Sequence, residues 1–218
     1  VAELKTEEEQ LEAIKRWWKE NGTSLIAGVV IAGAGVFGWN AWQDYQASKA
    51  EAASLRYQQL LDLTGRDNLD EQARQRADEL VREITAEHGT TLYADLARLL
   101  DARLAVDAGD RAQAQAALET VAEGSERDYI AGLARLRLAR LQLAEGSAET
   151  ALTTLEGVPE ALAAQRAEVR GNAQHALGRA DQAREAWRQA LTLADERDQP
   201  LYGVQLKLDD LGAEEATL

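Results

Sequence analysis

The chain has 218 residues, with 38 acidic and 24 basic side chains, a net charge of −14 and no cysteine. Nucleic-acid binding needs a basic footprint, and this balance supplies the opposite; without disulfides, whatever folds must be held by packing alone. The two histidines, His88 and His175, are far apart and in no metal spacing, and no phosphate loop, nucleophile elbow or HExxH stretch occurs, so the sequence leads us to expect no catalytic residue, metal or cofactor.

Residues 6 to 20 read as an amphipathic helix. Thr6 and Glu9 form a capping-box pair, Leu11, Ile14, Trp17 and Trp18 form an apolar stripe, and Asn21-Gly22 supplies a stop. Residues 1–22 are therefore expected to form a cytoplasmic segment lying on the membrane surface, with a plain tail as the alternative. Because Val1 is not methionine, the chain is expected to begin slightly inside its natural N-terminus or to have been trimmed.

From Asn21 to Gln43 there is no charge at all, and residues 23–43 read as a transmembrane helix. Leu25 to Trp42 would span about 27 Å as a helix, close to a hydrocarbon core. Leu25, Ile26, Val29, Val30, Ile31, Val36 and Phe37 contribute roughly −2 to −4 kcal/mol to insertion, less what the glycines return. Trp17 and Trp18 before the span, with Trp39 and Trp42 after it, suit the headgroup levels. A buried core helix is disfavoured by the polar remainder of the chain. A cleaved signal is disfavoured because the small triplet Ala32-Gly33-Ala34 lies in the middle of the apolar run. Gly28, Ala32 and Gly35 share a helix face that would permit close contact with another helix, although glycine is common in membrane helices anyway. Lys5, Lys15, Arg16 and Lys19 precede the span, whereas the first cations after it are Lys49 and Arg56. This bias is expected to keep the N-terminus cytoplasmic and to send residues 44–218 across, which in a bacterium would place them in the periplasm.

With six acidic and four basic residues up to Gln43, the remainder carries about −12. It has only two prolines, Pro159 and Pro200, and is rich in alanine, leucine, glutamate, glutamine and arginine, so it is expected to be all-α. The membrane helix should run on to about residue 63 and break at Gly65–Asn68. Helices are expected at 69–88, 91–108, 110–122, 126–145, 147–157, 160–177, 179–195 and 201–211.

A repeat lies within this run. Gly109, Gly146 and Gly178 stand 37 and 32 residues apart. Five residues after each stands an alanine (Ala114, Ala151, Ala183), and nine after stands a large residue (Leu118, Leu155, Trp187). Seven before each stands a small one: Ala102, Ala139 and Gly171. This is the tetratricopeptide pattern of helical hairpins stacked into a solenoid. Small residues let paired helices approach, the large residue fills the gap toward the next hairpin, and glycine takes the turn. Residues 48–63 and 69–88 form a candidate degenerate first hairpin, and 201–211 a terminal cap. The register aims Leu99, Leu136, Arg103, Arg140, Asn172 and His175 at a candidate concave groove; the competing reading has the leucines packing between hairpins and the arginines pairing with nearby acids.

Several runs carry a family resemblance: Thr6-Glu-Glu-Glu-Gln-Leu-Glu-Ala-Ile-Lys-Arg-Trp-Trp-Lys-Glu-Asn-Gly22, then Phe37-Gly-Trp-Asn-Ala-Trp42, Ser54-Leu-Arg-Tyr57, Leu136-Arg-Leu-Ala-Arg-Leu141, and Arg170-Gly171 leading to Ala186-Trp187. The chain resembles the YfgM-type ancillary subunits of the bacterial Sec translocon over nearly its whole length. The resemblance implies a non-enzymatic, single-span inner-membrane adaptor with a periplasmic tetratricopeptide-like domain. It would associate with the SecYEG channel and with a membrane-anchored periplasmic chaperone of the prolyl-isomerase class, and would assist unfolded secretory or outer-membrane polypeptides as they emerge. No catalytic residues carry over. Two other readings stay open: a self-associating membrane scaffold without client or chaperone, and a cytoplasm-facing regulator.

Overall fold

In the computed structural model, residues 7–65 and 69–216 are described. Among them the chain forms helices and no strand: α1 (Glu7–Thr64), α2 (Glu71–Glu87), α3 (Leu92–Asp107), α4 (Arg111–Gly124), α5 (Asp128–Ala144), α6 (Ala148–Leu155), α7 (Ala163–Ala176), α8 (Ala180–Glu196) and α9 (Val204–Ala216), with a 3-10 turn at Glu160–Leu162 before α7. The expected capping box falls on Thr6, outside the described residues. The chain divides into two compact units, residues 1–52 and 53–218.

The first unit is helix α1 up to Ala52. It is long and apolar enough to cross a membrane, and its large apolar side chains, from Leu25 through Phe37 to Trp42, are exposed. The rings of Trp39 and Trp42 lie 5.2 Å apart at one end of the uncharged stretch. The expected stop at Asn21-Gly22 is absent, because α1 passes through it unbroken. Gly22 does not take the left-handed conformation that ends a helix. Instead the Asn21 side chain donates to the Trp17 carbonyl at 3.1 Å, and the Trp18 indole lies against Gly22, within 3.4 Å of where a β-carbon would stand. A glycine inside a helix costs only about 1 kcal/mol against alanine, which does not stop a helix already propagating from both sides.

The second unit begins with the last turns of α1. Leu60, fully buried, packs with Ala77, Leu80 and Ile84 of α2 and Ala97 of α3. Arg56 bonds Glu87 at 2.9 Å and His88 at 2.9 Å, fastening the end of α1 to the end of α2. Three helical hairpins follow: α3 with α4, α5 with α6, and α7 with α8. Each first helix ends the same way. Gly109, Gly146 and Gly178 have φ of +79°, +82° and +71°, a region open to glycine without steric cost. The next amide reaches back to the fifth preceding carbonyl: Asp110 to Ala105 at 2.8 Å, Ser147 to Gln142 at 2.8 Å and Arg179 to Gln174 at 2.9 Å. That reversal closes the helix and satisfies carbonyls that would otherwise be orphaned.

Separate apolar cores fill the junctions. One joins α3, α4 and α5 around Leu99, Ala114, Leu118 and Leu138. A second joins α5, α6 and α7 around Leu136, Ala151, Leu155 and Val169. A third joins α8 to α9 around Ala183, Trp187, Val204 and Leu211. Such an array, in which each hairpin is buried by its neighbours, is a solenoid; burying each large apolar side chain contributes about 1.5–3 kcal/mol. Gly132 admits the α6–α7 connection, since a β-carbon there would stand 2.8 Å from Cγ of Pro159.

Candidate partner-binding cleft

The first helices of successive hairpins, α3 and α5, leave an open cleft of about 430 Å³ between them. Its floor is apolar, with Leu99 and Val106 from α3, Leu118 from α4 and Leu141 from α5. Its rim is cationic. Arg103 comes from α3, Arg137 and Arg140 from α5, and among the described residues Asp107 is the one acid lining it. Asp107 lies one turn from Arg103 on the same helix, 3.7 Å from its Nε. Arg140 Nη2 reaches Glu168 of α7 at 3.3 Å. Arg137 donates to the Leu99 carbonyl at 3.3 Å. Partial burial first, then repulsion from Arg140 and Arg103, lowers the Arg137 pKa, against the opposing pull of Tyr57; guanidinium nonetheless stays charged in proteins. Burial raises the Tyr57 pKa, opposed by Arg137, and the Tyr57 ring lies 5.9 Å from that of Tyr93.

The six groove residues expected from the register do not gather at one place. Leu99, Arg103 and Arg140 share this cleft. Leu136 is buried in the core between α5 and α7 and lines neither this cleft nor the next. Asn172 and His175 line a smaller hollow of about 280 Å³ with Trp187 and Lys207. There α9 has come in. Lys207 of α9 bonds Glu168 at 3.1 Å and the Asn172 Oδ1 at 3.0 Å, while Trp187 donates to the same Oδ1 at 3.1 Å. His175 lies 5.6 Å from the Trp187 ring. The Oδ1 of Asn172 is thus engaged within the fold. Among the described residues no group of three histidine or carboxylate side chains is placed to hold a metal ion.

Arg137 was missed by the register, which sought positions alike in all three hairpins. Nine residues before each turn glycine stand Leu100, Arg137 and Val169. Leu100 and Val169 are buried in cores. An arginine where two repeats bury aliphatics is the signal that marks it.

Comparison with known proteins decides the family. The model of the tetratricopeptide repeat-like domain matches residues 15–213. The ancillary SecYEG translocon subunit of Aggregatibacter actinomycetemcomitans is 34% identical over 206 residues, 94% of this chain and 97% of the relative. The chain belongs to the family of ancillary SecYEG translocon subunits. The Haemophilus influenzae member is 30% identical over the same shares, and that of Escherichia coli 32% identical over 83% of this chain and 85% of the relative. No solved structure matches the chain significantly. The matched residues 15–213 take in most of the apolar α1 as well as the hairpin stack.

Proposed function

We propose that this chain is a non-enzymatic adaptor of the bacterial inner membrane, acting at the SecYEG translocon. In this reading residues 1–22 face the cytoplasm, residues 23–43 cross the bilayer, and residues 44–218 stand in the periplasm. There the domain links the channel to a membrane-anchored periplasmic chaperone of the prolyl-isomerase class and attends polypeptides as they emerge. The observation that carries the reading is the relationship over 94% of the chain to a protein named as an ancillary SecYEG translocon subunit. Two features support it. The uncharged exposed stretch of α1, with tryptophans at its ends, suits a bilayer, and the Lys/Arg bias before the span favours translocation of the repeats. Tethering would raise the local concentration of the domain beside the channel, so that weak contacts suffice.

The test is photocrosslinking in native membranes from positions 103, 137 and 172. Adducts with channel subunits, the chaperone or arrested nascent chains are expected. Absence of all three, or a reporter fused after Leu218 that works only in the cytoplasm, would remove the reading.

A further inference from the structure

We propose that the α3–α4–α5 cleft docks a segment of a partner protein in which carboxylate side chains flank one or two large apolar residues. The inference rests on the adaptor reading and adds the chemistry of what the adaptor holds.

The chain carries −14 overall, yet three arginines converge on one apolar cleft whose lining offers one carboxylate in return. Each arginine is differently committed. Arg103 is exposed, and its partner is Asp107 on its own helix at 3.7 Å, the kind of surface pair that contributes little and is easily exchanged. Arg137 makes no ion pair among the described residues; its hydrogen bond is to a backbone carbonyl. Arg140 shares Glu168 with Lys207, so that carboxylate already has a second cation.

The repeat explains why the charge is left over here. Ten residues before the turn glycines stand Leu99, Leu136 and Glu168, and six before them stand Arg103, Arg140 and Asn172. Glu168 of the third hairpin answers Arg140 of the second. At the equivalent step one hairpin earlier, the acid is replaced by Leu136, buried in the core. Arg103 therefore lacks the inter-hairpin partner that Arg140 has. At Arg137 a buried aliphatic of the other repeats gives way to a cation, which lines the cleft beside Arg103 and Arg140. Packing alone does not call for three arginines beside Leu99, Leu118 and Leu141.

The chemistry of the occupant follows. Guanidinium forks hold carboxylates through paired hydrogen bonds, and the apolar floor takes aliphatic or aromatic side chains. The cleft volume of about 430 Å³ lies in the range of sites that bind small groups. A long polyanion does not fit the setting, because the surrounding domain is itself acidic and repels it beyond the cleft. A short segment with a few carboxylates meets the arginines within a Debye length and little else.

The experiment uses the full chain in lipid nanodiscs and fluorescence anisotropy with a short labelled peptide of alternating glutamate and leucine, beside counterparts carrying glutamine or lysine in place of glutamate. Tighter binding of the glutamate peptide is expected, by tenfold or more over the glutamine form, weakening as salt rises. Arg137→Gln and, independently, Arg103→Gln should each weaken it several-fold. Arg103 is exposed at the rim, so its variant keeps the thermal transition of the parent and the test survives if Arg137→Gln disturbs folding. Equal binding of the glutamate and glutamine peptides, preference for lysine, no binding of any peptide, or indifference to both substitutions would each overturn the proposal. Copurification of channel subunits with the same variants is the separate readout. Its absence already with the parent chain would sink the adaptor reading whether or not the cleft binds the peptide.

Discussion

The Trp187 indole fills the space in which a side chain of residue 171 would begin: a β-carbon on Gly171 would stand 2.8 Å from Cγ of the ring. Both residues are buried between α7 and α8. Gly171→Ala should destabilise the domain by about 2 kcal/mol through overpacking, lowering Tm by roughly 4–8 °C. Trp187→Leu alone leaves a void and also destabilises. Together the two should cost less than their sum by about 1 kcal/mol or more, because the smaller ring-side residue makes room for the methyl. Calorimetry of the four proteins checks this; strict additivity would show that the indole does not press on Gly171.

Asp95 is a buried carboxylate near the start of α3. Its Oδ2 accepts from Ser125 Oγ at 2.7 Å and from Arg127 Nη1 at 3.2 Å, joining α3 to the connection between α4 and α5. Removing the acid leaves Ser125 and Arg127 without their acceptor in a partly buried place. Asp95→Ala is expected to cost about 3 kcal/mol, and Arg127→Ala about 1–2 kcal/mol, since the buried carboxylate left behind keeps Ser125 as a donor and has Arg98 within 3.8 Å. Urea unfolding measured by circular dichroism gives both values.

Asp101 has its pKa raised, first by burial and further by the nearby Asp78 carboxylate, against a hydrogen bond from Gln113 that lowers it. A carboxyl that binds its proton more readily folded than unfolded penalises the fold once it is ionised. The penalty is complete at neutral pH and is relieved as pH falls through the folded-state pKa. Asp101→Asn keeps an acceptor for Gln113 Nε2, now at 2.9 Å from Oδ1, and removes the charge. It should stabilise the domain by about 0.5 kcal/mol at pH 7, after allowing for solvent screening. The advantage should shrink as pH is lowered toward the carboxylate range. Thermal melts across that pH window test the sign.

At the end of α8, Asp198 takes the left-handed conformation with φ of +52°, and the Gln199 amide reaches back to Ala194 at 2.9 Å. This is the turn made by glycine at 109, 146 and 178, here made by a residue with a β-carbon. Aspartate tolerates that conformation better than most residues but not freely. Asp198→Gly should stabilise by about 0.5 kcal/mol, the relief of strain exceeding the added freedom of the unfolded chain. A lower Tm would show that the carboxylate contributes more than its backbone costs.

Helices and turns were legible because breakers and period agree. Gly109, Gly146 and Gly178 each end an apolar pattern and each take positive φ. Asn21-Gly22 was misread as a stop: a glycine ends a helix only when the chain reverses there, and Trp18 covers this one within a continuing helix. The cleft was half legible. Arg103 and Arg140 share a register and share the cleft. Asn172 has the same register but meets Lys207 of α9, because the last hairpin neighbours a terminal helix rather than another repeat. Arg137 escaped because a pattern built from likeness is blind to the position where one repeat differs.

The apolar interior is divided into cores that hand over from one hairpin to the next, with no shared centre. Damage in such an assembly is felt beside it and fades with distance along the stack, so Gly171→Ala should loosen amide exchange in α7 to α9 long before it reaches α2. The domain will come apart like a zip opened from a weakened tooth, and its end nearest α9 can be slack while Leu60 still holds fast to Ile84.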